Sequence, residues 1–343
     1  MKRILIGLLI SLGVAAALLG SHLAYCYWFD HKASNFNGSL DLYIYPGMEP
    51  SQVQDSILAS GHVRRPSSLK RALKKEAATM QVGHYSIDST CTSIYVARML
   101  RKGWQTPVTL TLSGSIRTPA ALSRKIGAQM LADSSAVAAF VGSPDSLAAY
   151  GVAPMHLFTL IIPDSYQMMW TSSVREMMDR FVKERNLWWN ADRVAAASRQ
   201  GLTPQEVSVL ASIVNGETRY EPEMPSIAAV YLNRLHCGMK LQADPTVAFC
   251  FDYQPRRILK SHLLVDSPYN TYKYYGLPPG PISCPPKACL EAVLAPDAHS
   301  YIFFCADPSF NGSHRFAATY PEHLANARAF QKALTERQRA SAQ

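Results

Sequence analysis

From Ile4 to Phe29 the chain runs 26 residues without an Asp, Glu, Lys or Arg. A bilayer core needs only about 20 apolar residues in a helix. Lys2 and Arg3 precede the run, while Tyr25, Tyr27, Trp28 and Phe29 cluster where such a helix would leave the far interface. Basic residues stay on the cytoplasmic side and aromatic rings favour the interfaces. The pattern predicts a cytoplasmic tail at 1–3, a single-pass anchor in the cytoplasmic membrane at 4–29, and everything beyond on the extracytoplasmic side. A cleaved signal peptide is the alternative, but its apolar core usually spans only about 7 to 15 residues. Leu23-Ala24-Tyr25-Cys26 has the outline of a lipoprotein cleavage box. Tyr25 stands where a small residue is required, which argues against lipidation.

The length of 343 residues corresponds to about two domains of ordinary size, and 48% hydrophobic with 17% charged residues excludes wholesale disorder. A net charge of +9 suits an acidic partner: nucleic acid, anionic lipid or an anionic wall polymer. Export makes nucleic acid a poor explanation. Six cysteines follow the anchor, Cys91, Cys237, Cys250, Cys284, Cys289 and Cys305. They are either disulfide partners or small core residues, and no connectivity can be chosen from sequence. They lack the paired C-x-x-C spacing of a zinc site.

After a polar stretch at 30–39 that reads as a tether, three strand-helix units follow. Leu40 to Tyr45 alternates as a strand, Pro46-Gly47 turns it, and Val53, Ile57 and Leu58 form a helical stripe ending at Gly61. Tyr85 and Ile87 open the second unit, whose helix carries Ile94, Ala97 and Leu100 and stops at Gly103. The third runs from Val108, Leu110 and Leu112 to a helix begun by Thr118-Pro119. Units of this size resemble LysM-like glycan-binding modules. Between the first two, Arg64 to Lys75 forms a basic helix that is either a solvated face or a lipid or polymer site. Residues 134–153, rich in small and polar types, read as a boundary loop. Leu157 to Ile162 reads as a strand, Ser173 opens a long helix, Tyr301 to Ala306 is a strand, and Leu324 to Leu334 closes the chain as an amphipathic helix.

At Thr203-Pro204-Gln205-Glu206 every helix-start signal is present: a cap, a proline in the first turn, and a Glu placed to reach back. Val207, Leu210, Ala211 and Val214 form the apolar stripe. Glu217, seven residues after Leu210 and three after Val214, falls on that same face. A carboxyl group there is either desolvated towards a general acid's pKa, or it bends out to solvent or to Arg219. Asp244, held extended before Pro245, reads as a cap and hydrogen-bonding residue, with a second active carboxylate as the alternative. Residues 267–282 hold four prolines and four tyrosines. Such a stiff aromatic loop suits a sugar-binding groove wall, a polyproline-type ligand being the alternative.

Ala211-Ser212-Ile213-Val214 with Glu217-Thr218, Tyr231-Leu232-Asn233-Arg234-Leu235, Gly238-Met239 with Leu241-Gln242, Asp244-Pro245-Thr246-Val247, Ser267 to Tyr272, Gly276 to Ile282 and His314-Arg315-Phe316 closely resemble the YceG-like (MltG) family of endolytic murein transglycosylases. The matching motifs span about 203–334, and more loosely the anchor, the strand-helix units and Pro163-Asp164-Ser165-Tyr166 fit as well. The resemblance implies an α+β fold: a LysM-like glycan-binding region at 40–150 and a YceG-like catalytic domain at 151–343. It implies Glu217 as the catalytic residue, with Asn233, Gln242, Asp244, Tyr269, Asn270 and Tyr272 lining the groove. Many members carry a Glu where this chain has Asn215, so no second carboxylate is expected on that turn.

The implied reaction cuts the β-1,4 bond between N-acetylmuramic acid and N-acetylglucosamine within peptidoglycan strands and leaves a 1,6-anhydro end. It needs no cofactor and no metal. Peptidoglycan strands and the cytoplasmic membrane are the expected partners, with peptidoglycan synthases beside them and no nucleic acid. Two rivals keep parts of this picture: a muramidase using Glu217 and Asp244, and a non-catalytic membrane-anchored scaffold. A serine hydrolase on Ser267 and His314 lacks nucleophile-elbow spacing, and H-E-x-x-H is absent.

Overall fold

A computed structural model describes residues 2–341. Met1, in the predicted cytoplasmic tail, and Ala342 and Gln343, at the end of the predicted catalytic domain, lie outside the described residues. The chain forms two compact units: the first up to Leu110 with Gln167–Ser172, the second Thr111–Tyr166 with Ser173 onwards.

The first unit begins with α1 (Lys2–His31), the one helix among the described residues long and apolar enough to cross a membrane. At about 1.5 Å per residue it extends beyond a bilayer core, and its last turn is tied to protein. Asp30 accepts Arg71 at 2.7 Å and the Ser68 hydroxyl at 2.6 Å, and the Arg65 guanidinium stacks 3.9 Å from the Phe29 ring centroid. Arg65 borders, and Ser68 and Arg71 belong to, the basic helix α3 (Pro66–Glu76). Two of its expected surface cations therefore hold the end of the apolar helix.

Strand β1 (Leu40–Ile44) pairs antiparallel with β2 (Gly83–Ile87), setting Leu42 opposite Tyr85. Helices α2 (Pro50–Ala59), α3 and α4 (Ser93–Lys102) complete a core around Ile57, Tyr85 and Leu100, none of which keeps any exposed surface. Helix α4 starts on the Thr92 side chain and ends at Gly103 in a left-handed turn, φ 67°, as the pattern predicts. The expected tether differs. Phe36 is completely buried, and Asn35 uses its amide on Arg65 O and Ser93 Oγ while its carbonyl oxygen accepts the Arg65 N–H. Residues 30–39 are short of apolar side chains because their polar groups satisfy neighbouring backbone, which composition alone does not distinguish from a solvated linker.

The chain crosses between the units within strand β3 (Val108–Thr111), within strand β4 (Ser165–Met168), and again after Ser172. The boundary expected near residue 150 is thus displaced. In the second unit, α5 (Pro119–Gly127) packs on α6 (Ser134–Gly142), and α6 packs on α7 (Pro144–Ala148) and α8 (Val174–Trp188). The supposed loop at 134–153 is mostly helical. Polar side chains start its helices: Asp133, just before it, accepts Ala136 N–H at 2.7 Å, and Ser143 starts α7 ahead of Pro144. Residues 157–162 are not a strand either. Pro154 nucleates a 3-10 turn through Thr159, and Leu160, Ile161 and Ile162 continue as buried irregular chain.

Beyond α8, the sequence of elements is α9 (Ala191–Arg199), α10 (Pro204–Glu217), α11 (Met224–His236), α12 (Asp244–Cys250), α13 (Lys287–Leu294), the antiparallel pair β5 (Phe303–Ala306) and β6 (His314–Ala317), and α14 (Tyr320–Ser341). Helices α10, α11 and α13 pack together around Leu210, Ile213, Val214, Ile227 and Val293. All seven cysteines are free thiols; Cys91, Cys284 and Cys289 are core residues.

Candidate active site

Helix α10 starts as its sequence demands. Thr203 Oγ1 accepts the Glu206 N–H at 3.2 Å, and Glu206 accepts the Thr203 N–H at 2.8 Å. The helix is buried on every side from Val207 to Val214, not only along the predicted stripe. Such all-round burial belongs to a core helix, and it fixes where the last residue, Glu217, must stand.

Glu217 as a residue keeps some accessible surface, yet its carboxyl group sits deep among protein atoms. Its Oε1 accepts the Tyr231 hydroxyl at 2.6 Å, so the group turns to α11 and not to Arg219. Burial pushes its pKa from the ordinary 4.5 up to about 7. Asp244 adds to the rise by like-charge repulsion, whereas the Tyr231 hydrogen bond and the Arg234 charge oppose it. Near neutrality this carboxyl can both give and take a proton.

Gly216 explains how Asp244 reaches the same place. A Cβ at that position would lie 2.5 Å from Pro245 Cβ and 2.8 Å from its Cγ. Only glycine lets the end of α10 come so close to the start of α12. A buried hydroxyl pair, Thr246 and Thr271 at 2.9 Å, joins the α12 start to the loop after residue 267, and Thr271 Oγ1 also accepts the Ala243 N–H. Tyr272 then donates its hydroxyl to Asp244 Oδ1 at 2.6 Å. Asp244 is the first residue of α12 and forms a hydrogen bond with a tyrosine, without the side-chain cap the sequence favours.

Arg234 lies buried below Tyr231. Its Nε donates to Ile302 O at 2.7 Å, a second nitrogen donates to Leu241 O, and its centre is 6.0 Å from the Tyr231 ring. Among the described residues it forms no ion pair. Desolvation lowers its pKa, while Tyr231 and Glu217 raise it. A fixed cation without a paired anion favours a carboxylate forming on Glu217.

Glu217 and Asp244 open on a cleft of about 250 Å³ that Arg117, Tyr253, Arg256 and Ile258 also line. A larger cavity, about 640 Å³, lies at the other end of α10 among Thr203, Glu206 and Leu277, and neither Glu217 nor Asp244 lines it. The other candidate residues divide. Gln242 is exposed two residues before Asp244, with a left-handed φ of 50°, and Tyr272 reaches the cleft's Asp244. Asn270 is a correction to the expected groove lining: it has no exposed surface, and its amide serves Leu263 O and Val265 O while its carbonyl accepts Tyr272 N–H. It shapes the loop that presents Tyr272. Asn233 likewise spends its amide on His299 O and Tyr301 O, and Tyr269 packs its ring 4.5 Å from Phe249. Neither lines the cleft. Ser267 Oγ accepts Tyr269 N–H, whereas His314 Nδ1 meets Glu223 at 2.9 Å, so they make no dyad.

Sequence reasoning missed Tyr231 and Arg234 as partners of Glu217, although both lie in the Tyr231 to Leu235 motif. Three residues apart on one helix, they face the same side, which was a usable signal. Arg117 and Tyr253 carried no such signal, since folding alone brings them to the cleft.

Fold and site together define a mixed α/β protein with an apolar N-terminal helix and a cleft built around one buried carboxyl group. The chain belongs to the YceG-like family, whose model matches residues 42–329. It is 33% identical over 152 residues to the endolytic murein transglycosylase of Bacillus subtilis (strain 168), covering 44% of this chain and 41% of that protein. The Streptococcus pneumoniae serotype 2 (strain D39) endolytic murein transglycosylase is 25% identical over 173 residues, or 48% of this chain and 31% of the relative. The chain thus spans less than half the length of these relatives. The crystal structure of the Listeria monocytogenes yceG-like protein lmo1499 shares the fold, with a TM-score of 0.53, 23% identity, and coverage of 84% of this chain and 98% of that one.

Proposed function

We propose that this protein is a membrane-anchored endolytic lytic transglycosylase, cutting the β-1,4 bond between N-acetylmuramic acid and N-acetylglucosamine inside peptidoglycan strands. The observation that carries the reading is Glu217, a carboxyl group raised to about 7, bonded to Tyr231 and facing a cleft. Protonated Glu217 donates to the glycosidic oxygen as the bond to C1 breaks. The resulting carboxylate, held by Tyr231 and the Arg234 charge, takes the proton from the sugar's C6 hydroxyl as that oxygen bonds to C1. The proton count closes without water, and one carboxyl does both steps.

Asp244 in the same cleft supports a second reading, a muramidase with two carboxyl groups handling a water or a covalent intermediate. Digestion of isolated sacculi followed by mass spectrometry separates them, since a reducing end is one water heavier than an anhydro end. Anhydro products lost in Glu217→Gln are the expected result. Unchanged release by that variant overturns the role of Glu217, and binding to sacculi without any soluble product supports a scaffold.

The apolar α1 and its basic N-terminal flank support a single-pass anchor with the N-terminus inside and the cleft outside the cytoplasmic membrane. In the first unit, the small strand-helix arrangement supports a LysM-like glycan-binding role. An enzyme held there would meet strands as they emerge and so limit their length, which makes peptidoglycan synthases its natural neighbours.

A further inference from the structure

The cleft does not end at Asp244. Arg117 and Tyr253 line both it and a second cavity of about 620 Å³, where Arg124 and Arg219 also stand. Arg256 flanks the near side. Among the described residues none of these four arginines is in an ion pair, and Asp252 is the one acid lining the second cavity. Positive charge is therefore in excess along a continuous wall.

That wall is built under strain. Asp252 and Tyr253 are consecutive residues in the left-handed region, φ 50° and 58°, a conformation that non-glycine residues hold only when the surroundings impose it. The Tyr253 hydroxyl donates to the Ile282 carbonyl, and the Arg117 guanidinium lies 4.8 Å from the centre of its ring. Tyr253 thereby fixes Arg117 at the junction of the two cavities.

We propose that this arginine-lined cavity binds the carboxylate groups of the peptide stem that a peptidoglycan strand carries beside the bond held at Glu217. The proposal rests on the peptidoglycan reading above. Guanidinium forks match carboxylates in paired hydrogen bonds, and a cavity of this size suits a ligand of a few residues. The glycan itself is largely neutral, so the stem supplies the charge that the arginines lack.

The test measures equilibrium binding to the full chain carrying Glu217→Gln, which prevents turnover. Its probes are a disaccharide with a tetrapeptide stem, the same fragment with amidated stem carboxylates, and the stem-free disaccharide with its lactyl carboxylate amidated. The stem-bearing fragment should bind about tenfold more tightly than the amidated one, a preference weakened by salt. Adding Arg124→Gln with Arg219→Gln should erase that preference and leave stem-free binding unchanged, and the paired Lys substitutions should restore part of it. Equal loss for all three probes, no loss for any, or no measurable stem-bearing binding overturns the proposal. Its failure is separate from that of the enzymatic reading: cleavage of sacculi without carboxylate preference sinks this site alone, whereas preference without anhydro products sinks the transglycosylase reading alone.

Discussion

Replacing Glu217 by Gln should change how stability depends on pH as well as abolish cleavage. In the folded chain the carboxyl titrates near 7, against an ordinary 4.5. Below 4.5 both folded and unfolded chains keep the proton, and nothing is lost. Between 4.5 and 7 the unfolded chain releases it while the folded chain retains it, so stability falls as pH rises. Above about 7 the folded chain carries the buried charge and the loss is complete. That gap corresponds to roughly 3 kcal/mol, or about 6 to 12 °C in melting temperature for a domain of 150–250 residues. Gln keeps an oxygen for the Tyr231 hydroxyl but cannot ionise. Melting curves of wild type and Glu217→Gln, compared at pH 5 and pH 8.5, cancel every other titrating group. The variant should gain on wild type at the higher pH by most of that amount, about 2.5 kcal/mol, because part of the loss has already occurred by pH 5. Parallel pH dependence of the two proteins would show that Glu217 is not desolvated and would remove the basis for its acid role.

Neighbouring substitutions should move the pH profile in opposite senses. Tyr231→Phe removes a hydrogen bond that lowers the Glu217 pKa, so the alkaline limb of kcat/KM should move up as kcat falls; Asp244→Asn removes a like charge, so the limb should move down. Retained anhydro products in Asp244→Asn are expected, whereas reducing-end products from wild type that are lost in Asp244→Asn would favour the muramidase. Gly216→Ala should destabilise by about 1–3 kcal/mol through the clash with Pro245 and impair cleavage, as read by melting and product release. Gly142→Ala, whose Cβ meets nothing within 4 Å, is the control and should melt at or slightly above the wild-type temperature.

Much of the second unit was legible in order. The α10 start is written in Thr203, Pro204 and Glu206, and the position of Glu217 on the apolar face follows from helical period alone. Asn270 was misread because a motif residue that folds a binding loop and one that faces its ligand look alike in sequence. The boundary near 150 and the strand at 157–162 were misread because small polar residues serve equally as loop or as helix cap, and short apolar runs lack a period.

The sequence by itself determined the apolar N-terminal helix, the helix that carries Glu217, and the family, because these depend on local period, capping and ordered motifs. Only the tertiary structure decided that Glu217 meets Tyr231, that Gly216 admits Pro245 and so Asp244, and that Arg117 and Tyr253 extend the cleft. Those contacts join residues distant in the chain, and a pKa near 7 arises from what surrounds the carboxyl group, which no single stretch of sequence contains.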